Sequence, residues 1–188
     1  MALAGRGVSV GYGRVARLFH WITLLLVLVM IPVGIVMTQE IPRPLQDRLF
    51  ILHKGLGPIV FLVVVLRLAW RWISPPPPLP DSVPPLQRKA SAAVHALLYV
   101  FLLVMAVSGY VRVTTGGFPT EFLNWIGIPP LLPKSEPVAE VAKAVHATAI
   151  LGLLLLIAVH VAAALYHGLV LRDGVFSRMW PPFSTGKQ

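Results

Sequence analysis

The sequence predicts an all-α protein, a transmembrane four-helix bundle with both termini in the cytoplasm. Of its 188 residues, 56% are hydrophobic and only 12% are charged, which is about half the charged share of an ordinary soluble domain. Four long runs with few or no charges are each near the ~20 residues that cross the hydrocarbon of a bilayer. Because a backbone in lipid must satisfy its own hydrogen bonds, these runs are predicted to be helices.

The four predicted helices form one membrane domain over residues 1–188. A proline-rich connection after the second helix favours an extended, stiff spacer. The longer connection after the third helix, residues 114–137, is expected to fold over the outer surface and to contain a short helix near residues 121–126. The long helices are predicted at about residues 14–38, 47–73, 87–113 and 138–171.

The distribution of charge sets the predicted orientation. With both termini inside, the inner segments carry ten basic and two acidic residues, whereas the outer segments carry six and five. Basic residues accumulate on the cytoplasmic side of membrane proteins, so this orientation is favoured. The net charge of +9 is therefore explained by membrane topology, and no nucleic-acid partner is expected.

Histidines stand out within the apolar runs, where titratable side chains are functional candidates by default. His146 and His160 are 14 residues apart in the last run, so they lie on nearly one helix face with ~21 Å between them. His146 and His53 lie near the outer starts of their helices, whereas His20 lies near the inner start of the first helix. His53 is therefore predicted to pair with His146 on the outer side. His20 is predicted to pair with His160 on the inner side.

Two imidazoles that face each other across a helical bundle suit axial coordination of a planar haem iron. The chain has no cysteine, which excludes thiolate-held iron–sulfur clusters and covalent haem attachment. Two non-covalent haem b groups are expected, one for each pair. Gly55, Gly57 and Gly152 are expected to leave room for a macrocycle near the outer pair. Arg67 shares the face of His53 at inner depth and is a candidate partner for haem propionates, although positive-inside anchoring also explains it.

Two further histidines have alternative interpretations. His167 lies ~10 Å further inward than His160 and is a candidate contact that hydrogen-bonds and protonates a quinone. It is also a rival inner ligand, but its span of ~31 Å from His146 would place one site in the headgroups. An interfacial histidine beside Tyr166 is the plainer alternative. His95, near the inner start of the third helix, is a second candidate for the inner ligand or for a quinone contact.

A metal transporter without haem is a competing interpretation, because imidazoles also bind zinc, copper or iron. A transport path would be expected to include carboxylates or Met and Cys ligands within the membrane. The acidic residues all lie outside the apolar runs, which favours the haem interpretation. A single buried histidine is usually a hydrogen-bonded core residue, but four at paired depths on three helices are hard to explain in that way.

The histidine-bearing segments resemble the prokaryotic cytochrome b561 family, and the likeness covers nearly the whole chain. A His-Trp pair near the start of the first helix and the H-x13-H-x6-H pattern of the last helix are its most specific parts. The matching segments are residues 17–21 (RLFHW), 52–55 (LHKG), 93–97 (AVHAL), 145–147 (VHA) and 159–167 (VHVAAALYH), with residues 172–174 (RDG) and 178–179 (RM) in the tail.

The resemblance implies a di-haem b protein of the bacterial inner membrane. On the matching positions, His20 and His160 would hold one haem, and the other would be held by His53 and His146. Some family members are superoxide oxidases, which pass electrons from periplasmic superoxide through the haems to ubiquinone. Superoxide:ubiquinone oxidoreduction is therefore the expected activity, with lipid, quinone and superoxide or a soluble electron donor as partners. Related di-haem subunits anchor hydrogenases or formate dehydrogenases, so an electron relay for a partner enzyme is the alternative.

Superoxide is an anion, so basic residues near the outer haem are candidates for attracting it. Electrostatic focusing needs only local charge, although the outer segments have little net charge. Charges of this kind are often simply solvated. The candidate patch consists of Lys54, Arg48, Arg112 and Lys143.

Overall fold

The computed structural model describes residues 11–180. Within this range the chain is helical and contains no strand, and four of its helices are long and apolar enough to cross a membrane. The predicted all-α fold class is therefore confirmed. Arg6 and Lys187, which contribute to the predicted orientation, lie outside the described residues, and that orientation stays a prediction. We call the end of the bundle with His20 the inner end and the end with His53 the outer end.

The described chain contains four long helices, one short helix and two irregular turns. The short helix lies in the outer connection, where the sequence predicts one. The last long helix changes to a π-helical turn before residue 171, whereas the sequence predicts an uninterrupted helix to that point. The elements are α1 (Arg14–Val36), α2 (Arg43–Ile73), α3 (Pro85–Thr115), α4 (Glu121–Trp125), α5 (Glu136–Leu165), the π-helical turn (Tyr166–Leu171) and a 3₁₀ turn (Phe176–Arg178).

Prolines mark the starts of three long helices. Pro44, Pro85 and Pro137 occupy the first turns of α2, α3 and α5, where a missing backbone N–H leaves no hydrogen bond unmade. Pro42 precedes α2, and this helix begins at Arg43, earlier than the predicted residue 47. The proline-rich connection at residues 74–84 contains no helix, as its composition predicts.

A layer of apolar side chains lies in the middle of the bundle. α3 packs on α5, and α2 packs on both α1 and α3. Val64 of α2 is fully buried within this layer. Leu153 of α5 is midway in sequence between the two histidines of the same helix, so the layer separates the inner polar level from the outer one. The buried members are Val60, Val64, Leu102 and Leu153.

The outward faces of the long helices carry large apolar side chains. Leu25 and Leu28 of α1, Leu62 of α2, and Leu151 and Leu155 of α5 are each more than half exposed. Many large apolar side chains exposed together mark a membrane or protein interaction site. Their position on α1, α2 and α5 matches the hydrocarbon of a bilayer.

The segment after α5 closes the inner end of the bundle. The Trp21 indole N–H donates to the Met179 carbonyl at 3.1 Å, and the Tyr12 N–H donates to the Arg178 carbonyl at 3.2 Å. The buried guanidinium of Arg178 lies over the Tyr12 ring and donates to the Pro77 carbonyl. These contacts join the start of α1, the proline-rich connection and the C-terminal segment.

Candidate functional site

Three histidine rings from three helices meet at the inner end. His20 of α1 and His160 of α5 have ring centres 6.3 Å apart, with their planes at 68°. The ring of His95, from α3, is 5.2 Å from that of His160. Nδ1 of His95 donates to the Ser91 carbonyl of its own helix at 2.6 Å, which leaves its Nε2 as an acceptor. The structure therefore brings the predicted inner pair together and places His95 beside it.

Arg67 of α2 completes the inner cluster. Its Nη2 is 3.1 Å from His20 Nδ1, and its guanidinium lies over the Tyr99 ring, 5.3 Å from the centre. Because a guanidinium only donates hydrogen bonds, Nδ1 of His20 is the acceptor. Among residues 11–180, Arg67 takes part in none of the ion pairs with carboxylates. Its charge is therefore available to the carboxylates of a bound ligand.

His53 of α2 and His146 of α5 form the outer pair, with ring centres 6.3 Å apart and planes at 79°. Two glycines allow neighbouring helices to approach these rings. A Cβ atom at Gly34 of α1 would lie 3.0 Å from His53 Cε1, and one at Gly109 of α3 would lie 3.2 Å from His146 Cε1. Both distances are shorter than ordinary van der Waals contact, so each ring is positioned by a glycine on a facing helix.

The two outer rings differ in their hydrogen bonds. His146 Nδ1 is 3.1 Å from Ser108 Oγ. His53 Nδ1 is buried, and although the Met30 backbone is close, no described residue bonds to this nitrogen with ordinary geometry. Buried polar atoms are normally paired, and an exception calls for a functional or ligand-related explanation.

The spacing of both pairs fits a metal ion between the rings. A metal–imidazole bond of ~2.0 Å, with ~1.1 Å from the nitrogen to the ring centre, places the ring centres ~6.2 Å apart when the rings lie on opposite sides of a metal. The observed separation is 6.3 Å in both pairs. In the described part of the chain, no group of three or more His, Asp or Glu side chains is arranged so that it could hold a metal ion. Two histidines on opposite sides of a planar cofactor therefore fit this arrangement better than a larger ligand set.

A cavity of about 940 Å³ lies beside the outer pair. This volume is near the upper end of the ~300–1,000 Å³ that is usual for small-molecule and cofactor pockets. Its wall includes residues of all five helices and is mostly apolar, with His53, His146 and Arg112 among the polar exceptions. Such a cavity suits a large and mostly apolar group that is held by two imidazoles.

The glycines that the sequence singles out lie in different surroundings. Gly57 lines the cavity, and a Cβ added there would touch nothing within 4 Å. Gly55 instead faces Phe122 of α4, and Gly152 faces Phe101 of α3, whose ring fills the space that a Cβ would take. The expectation that Gly55 and Gly152 leave room for a macrocycle is therefore corrected, because neither lines the cavity. Gly152 leaves room for the Phe101 ring, and Gly55 faces Phe122 at an ordinary contact distance.

Sequence reasoning misses Gly34 and Gly109, although a signal for them exists. Each lies 14 residues after a histidine of its own helix, His20 in α1 and His95 in α3. Fourteen residues return a helix to nearly the same face, ~21 Å along its axis. Each long helix therefore has two residues that face the interior of the bundle, one at the level of the inner histidine pair and one at the level of the outer pair. The four pairs are His20 and Gly34, His53 and Arg67, His95 and Gly109, and His146 and His160.

The four candidate cations of the outer side do not form one free patch. Arg48 is exposed and does not line the cavity, whereas Lys54, Arg112 and Lys143 do. Lys54 Nζ is 2.7 Å from a Glu121 carboxylate oxygen, and Lys143 pairs with a glutamate of its own helix at 3.0 Å. Arg112 takes part in none of the ion pairs within residues 11–180. It is therefore the cavity cation best placed to act on an anion.

His167 lies in the π-helical turn and pairs with Asp173. Its Nδ1 is 2.6 Å from one carboxylate oxygen, and the two side chains are only 14% and 12% exposed. The other carboxylate oxygen accepts the backbone N–H two residues further along the chain. The structure thus places the ring of His160, and not that of His167, beside His20. The acidic partner of His167, Asp173, is a contact that the sequence does not predict.

Sequence comparisons find relatives along almost the full chain. The profile of the family described as "Prokaryotic cytochrome b561" matches residues 11–182. "Cytochrome b561 homolog 2" of Escherichia coli (strain K12) is 33% identical over 170 residues, which cover 89% of this chain and 90% of that protein. "Cytochrome b561 homolog 1" of the same organism is 29% identical over 165 residues, which cover 86% and 92%. "Probable superoxide oxidase CybB" of Yersinia pestis is 25% identical over 166 residues, which cover 86% and 91%.

The family match includes all four spanning helices and both histidine levels. The four helices account for a multi-pass membrane protein, and imidazoles are side chains that can hold haem without a covalent link. The chain therefore belongs to the prokaryotic cytochrome b561 family, as a multi-pass protein of the bacterial inner membrane that binds b-type haem and transfers electrons across that membrane.

Proposed function

We propose that the protein is a di-haem cytochrome that carries electrons from superoxide at the outer face to ubiquinone at the inner face. His20 and His160 would hold one haem, and His53 and His146 the other. The equal ring separation of 6.3 Å in two pairs at opposite ends of the bundle carries the two-haem assignment on which this proposal rests. Bound haem supplies the one-electron redox chemistry, while the chain supplies ligation, burial and position.

The outer histidine pair and the apolar layer below it define where an electron would enter the protein and what separates the two haem sites. His53 and His146 would hold the outer haem between them, and superoxide would give up its electron from the cavity that these two rings line. Val64 and Leu153 lie in the apolar layer between the two levels. This layer excludes water and keeps the two sites distinct.

Arg67 supports a haem at the inner pair. Arginine binds carboxylates well and often through two parallel hydrogen bonds, so we assign it to haem propionates. While Arg67 donates to Nδ1 of His20, the proton of that neutral ring lies on Nε2. Pairing of Arg67 with a propionate frees the ring to move its proton to Nδ1 and to ligate through Nε2.

We assign the inner end to the cytoplasmic side and the outer end to the periplasm. The excess of basic residues in the predicted inner segments supports this orientation. Arg14, Arg17 and Arg71 are among the inner-end residues that contribute to it. In this orientation superoxide meets the outer pair and quinone is reduced at the inner end.

The superoxide step is supported by the outer site and by one relative. Two superoxide anions give two molecules of O₂ and two electrons, which with two protons reduce one ubiquinone to ubiquinol. Arg112 lines the outer cavity, and local positive charge of this kind raises the encounter rate of an anion. The Yersinia pestis relative carries the name of a probable superoxide oxidase.

We assign His167 as the proton donor to the quinone, with Asp173 as its partner. The carboxylate accepts from Nδ1 and so fixes the orientation of the ring, which leaves Nε2 for a quinone oxygen. Protonation by a positioned histidine is a common form of general acid catalysis. His95 is the second candidate, but its Nδ1 is bonded to Ser91 and its ring lies against His160.

Stopped-flow mixing of the oxidised holoprotein with superoxide tests the proposed function. Haem absorbance is expected to show rapid reduction, and added ubiquinone is expected to reoxidise the haem. Superoxide dismutase, added first, is the control that should abolish the reduction. Haem that dithionite reduces but superoxide does not would contradict the proposal.

Alanine at His167 is expected to slow reoxidation of the haem by ubiquinone ~100-fold, because a general acid contributes at least that much. Reduction by superoxide and the haem content should stay unchanged. Tyr166→Phe, at the neighbouring position, is the matched control and should behave as wild type. Reoxidation at the wild-type rate in His167→Ala would remove the proposed role of this residue.

An electron relay for a soluble partner enzyme is the second candidate function. The two relatives of higher identity are named only as cytochrome b561 homologs. The outer connection also exposes Trp125 by 82% and Leu131 by 71%, and large exposed apolar side chains often mark interaction surfaces. Such a subunit, purified alone, would show reducible haem but no superoxide:ubiquinone activity.

A further inference from the structure

Ser108 is a buried residue on α3 that touches a proposed haem ligand. The residue is 6% exposed, and its Oγ is 2.5 Å from the Val104 carbonyl oxygen and 3.1 Å from His146 Nδ1. A serine hydroxyl has one hydrogen to donate, and the nearer carbonyl receives it. Oγ is therefore the acceptor toward His146, so Nδ1 of that ring carries a proton.

This proton position decides which nitrogen of His146 can bind a metal. A neutral imidazole with its proton on Nδ1 has its lone pair on Nε2. Gly109, next to Ser108, brings the backbone of α3 against the same ring. Both rings have a backbone group nearby, Met105 for His146 and Met30 for His53. Only His146 adds a side-chain partner, because no described residue bonds to the buried Nδ1 of His53 with ordinary geometry. α3 therefore fixes one outer ligand in both position and tautomer.

The two ends of the bundle differ in their electrostatic effect on a redox centre. A hydrogen bond from Nδ1–H makes a histidine ligand more basic, which favours the oxidised and more positive form of the centre. Each end also holds a cation, Arg67 beside His20 and Arg112 in the wall of the outer cavity, and a nearby cation favours the reduced and less positive form of either centre. His146 Nδ1 donates to Ser108, whereas His20 Nδ1 accepts from Arg67, so the hydrogen bond to Ser108 lowers the reduction potential of the outer centre relative to the inner one.

We propose that Ser108 is a positioning residue that makes the outer haem the centre of lower reduction potential, so that electrons run energetically downhill from the outer to the inner end. This inference rests on the proposed function, because it takes His146 as a ligand of the outer haem. It adds to that function a direction of favourable electron flow, and it attributes this direction to Ser108, which belongs to neither ligand pair.

A redox titration of haem absorbance in the purified holoprotein tests this role. The titration of the wild-type protein is expected to show two one-electron components, one for each haem. The component of lower potential is expected to be missing from His146→Ala. Ser108→Ala is expected to raise the one-electron reduction equilibrium constant of that component about tenfold, which is ~59 mV. The other component should not move. Thr114→Val removes a buried hydroxyl that bonds only helix carbonyls and should shift neither component.

Ser108→Thr keeps the hydroxyl and is expected to restore a potential close to that of wild type. If Ser108→Ala weakens retention of the outer haem alone, by ~10–100-fold as for other residues that support a ligand, the positioning role is also supported. An unmoved lower component in Ser108→Ala, or an equal shift in Thr114→Val, overturns the proposal. A failed ligand assignment gives a different result, because His146→Ala then keeps both components.

Discussion

Alanine at His146 and alanine at His160 are expected to remove different haems, with about half of the wild-type haem kept in each variant. His146 lies with His53 at the outer end, and His160 lies with His20 at the inner end. On the proposed assignment, each substitution deprives one site of one of its two imidazoles and leaves the other site intact. A pyridine haemochrome assay gives the haem content, and redox titration shows which component is lost.

His167→Ala is the matched control for the two ligand variants. This residue is a rival inner ligand by its sequence position, but the structure pairs it with Asp173. It is expected to keep both haems. Loss of the same component from His146→Ala and His160→Ala would show that the two-site interpretation is wrong. Loss of the inner haem from His167→Ala, with His160→Ala unaffected, would show that the inner ligand is misassigned.

Leucine at Gly34 is expected to expel the outer haem and leave the bundle folded. A Cβ atom at this position already lies 3.0 Å from His53 Cε1, and the rest of the side chain would enter the cavity that Gly34 lines. Overpacking of this kind costs ~1–3 kcal/mol, and it would also displace a ligand ring. Haem content should fall by about half, while the spectrum of the inner haem and the helical circular dichroism should be preserved.

Gly55→Ala is the control for the Gly34 variant. Gly55 is close to His53 in sequence, but a Cβ there would meet Phe122 at 3.6 Å, an ordinary contact. Both haems should remain, and stability should be equal or higher because alanine is favoured over glycine in helices by ~1 kcal/mol. Retention of both haems in Gly34→Leu would show that Gly34 does not border the bound group. Loss of haem from Gly55→Ala would reinstate the role that its sequence position predicts.

The fold and the two histidine levels follow from simple periodicities in the sequence. Apolar runs near ~20 residues can only be helices when they cross lipid, and the structure contains four such helices. The rise of ~1.5 Å per residue converts sequence position into depth. That conversion places His160 at the level of His20 and His146 at the level of His53, and the structure brings both pairs together. Family membership further favours haem over the metal transporter.

Contacts between helices are harder to predict, because spacing along one helix does not say what faces it. Gly152 is close to His146 in sequence, yet the Phe101 ring occupies the space beside it. Lys54 counts as a free cation in the sequence, but Glu121 of a later element neutralises it. Ser108 reaches His146 only because α3 packs on α5. Each of these depends on the rotation of helices about their own axes.

The ratio of haem to protein in the purified wild-type chain tests the central claim most directly. A pyridine haemochrome assay, normalised by amino-acid analysis, is expected to give two haem b groups per chain, one for each histidine pair. A ratio of one haem per chain, in folded protein with both pairs intact and with haem supplied in excess during expression, would contradict the account.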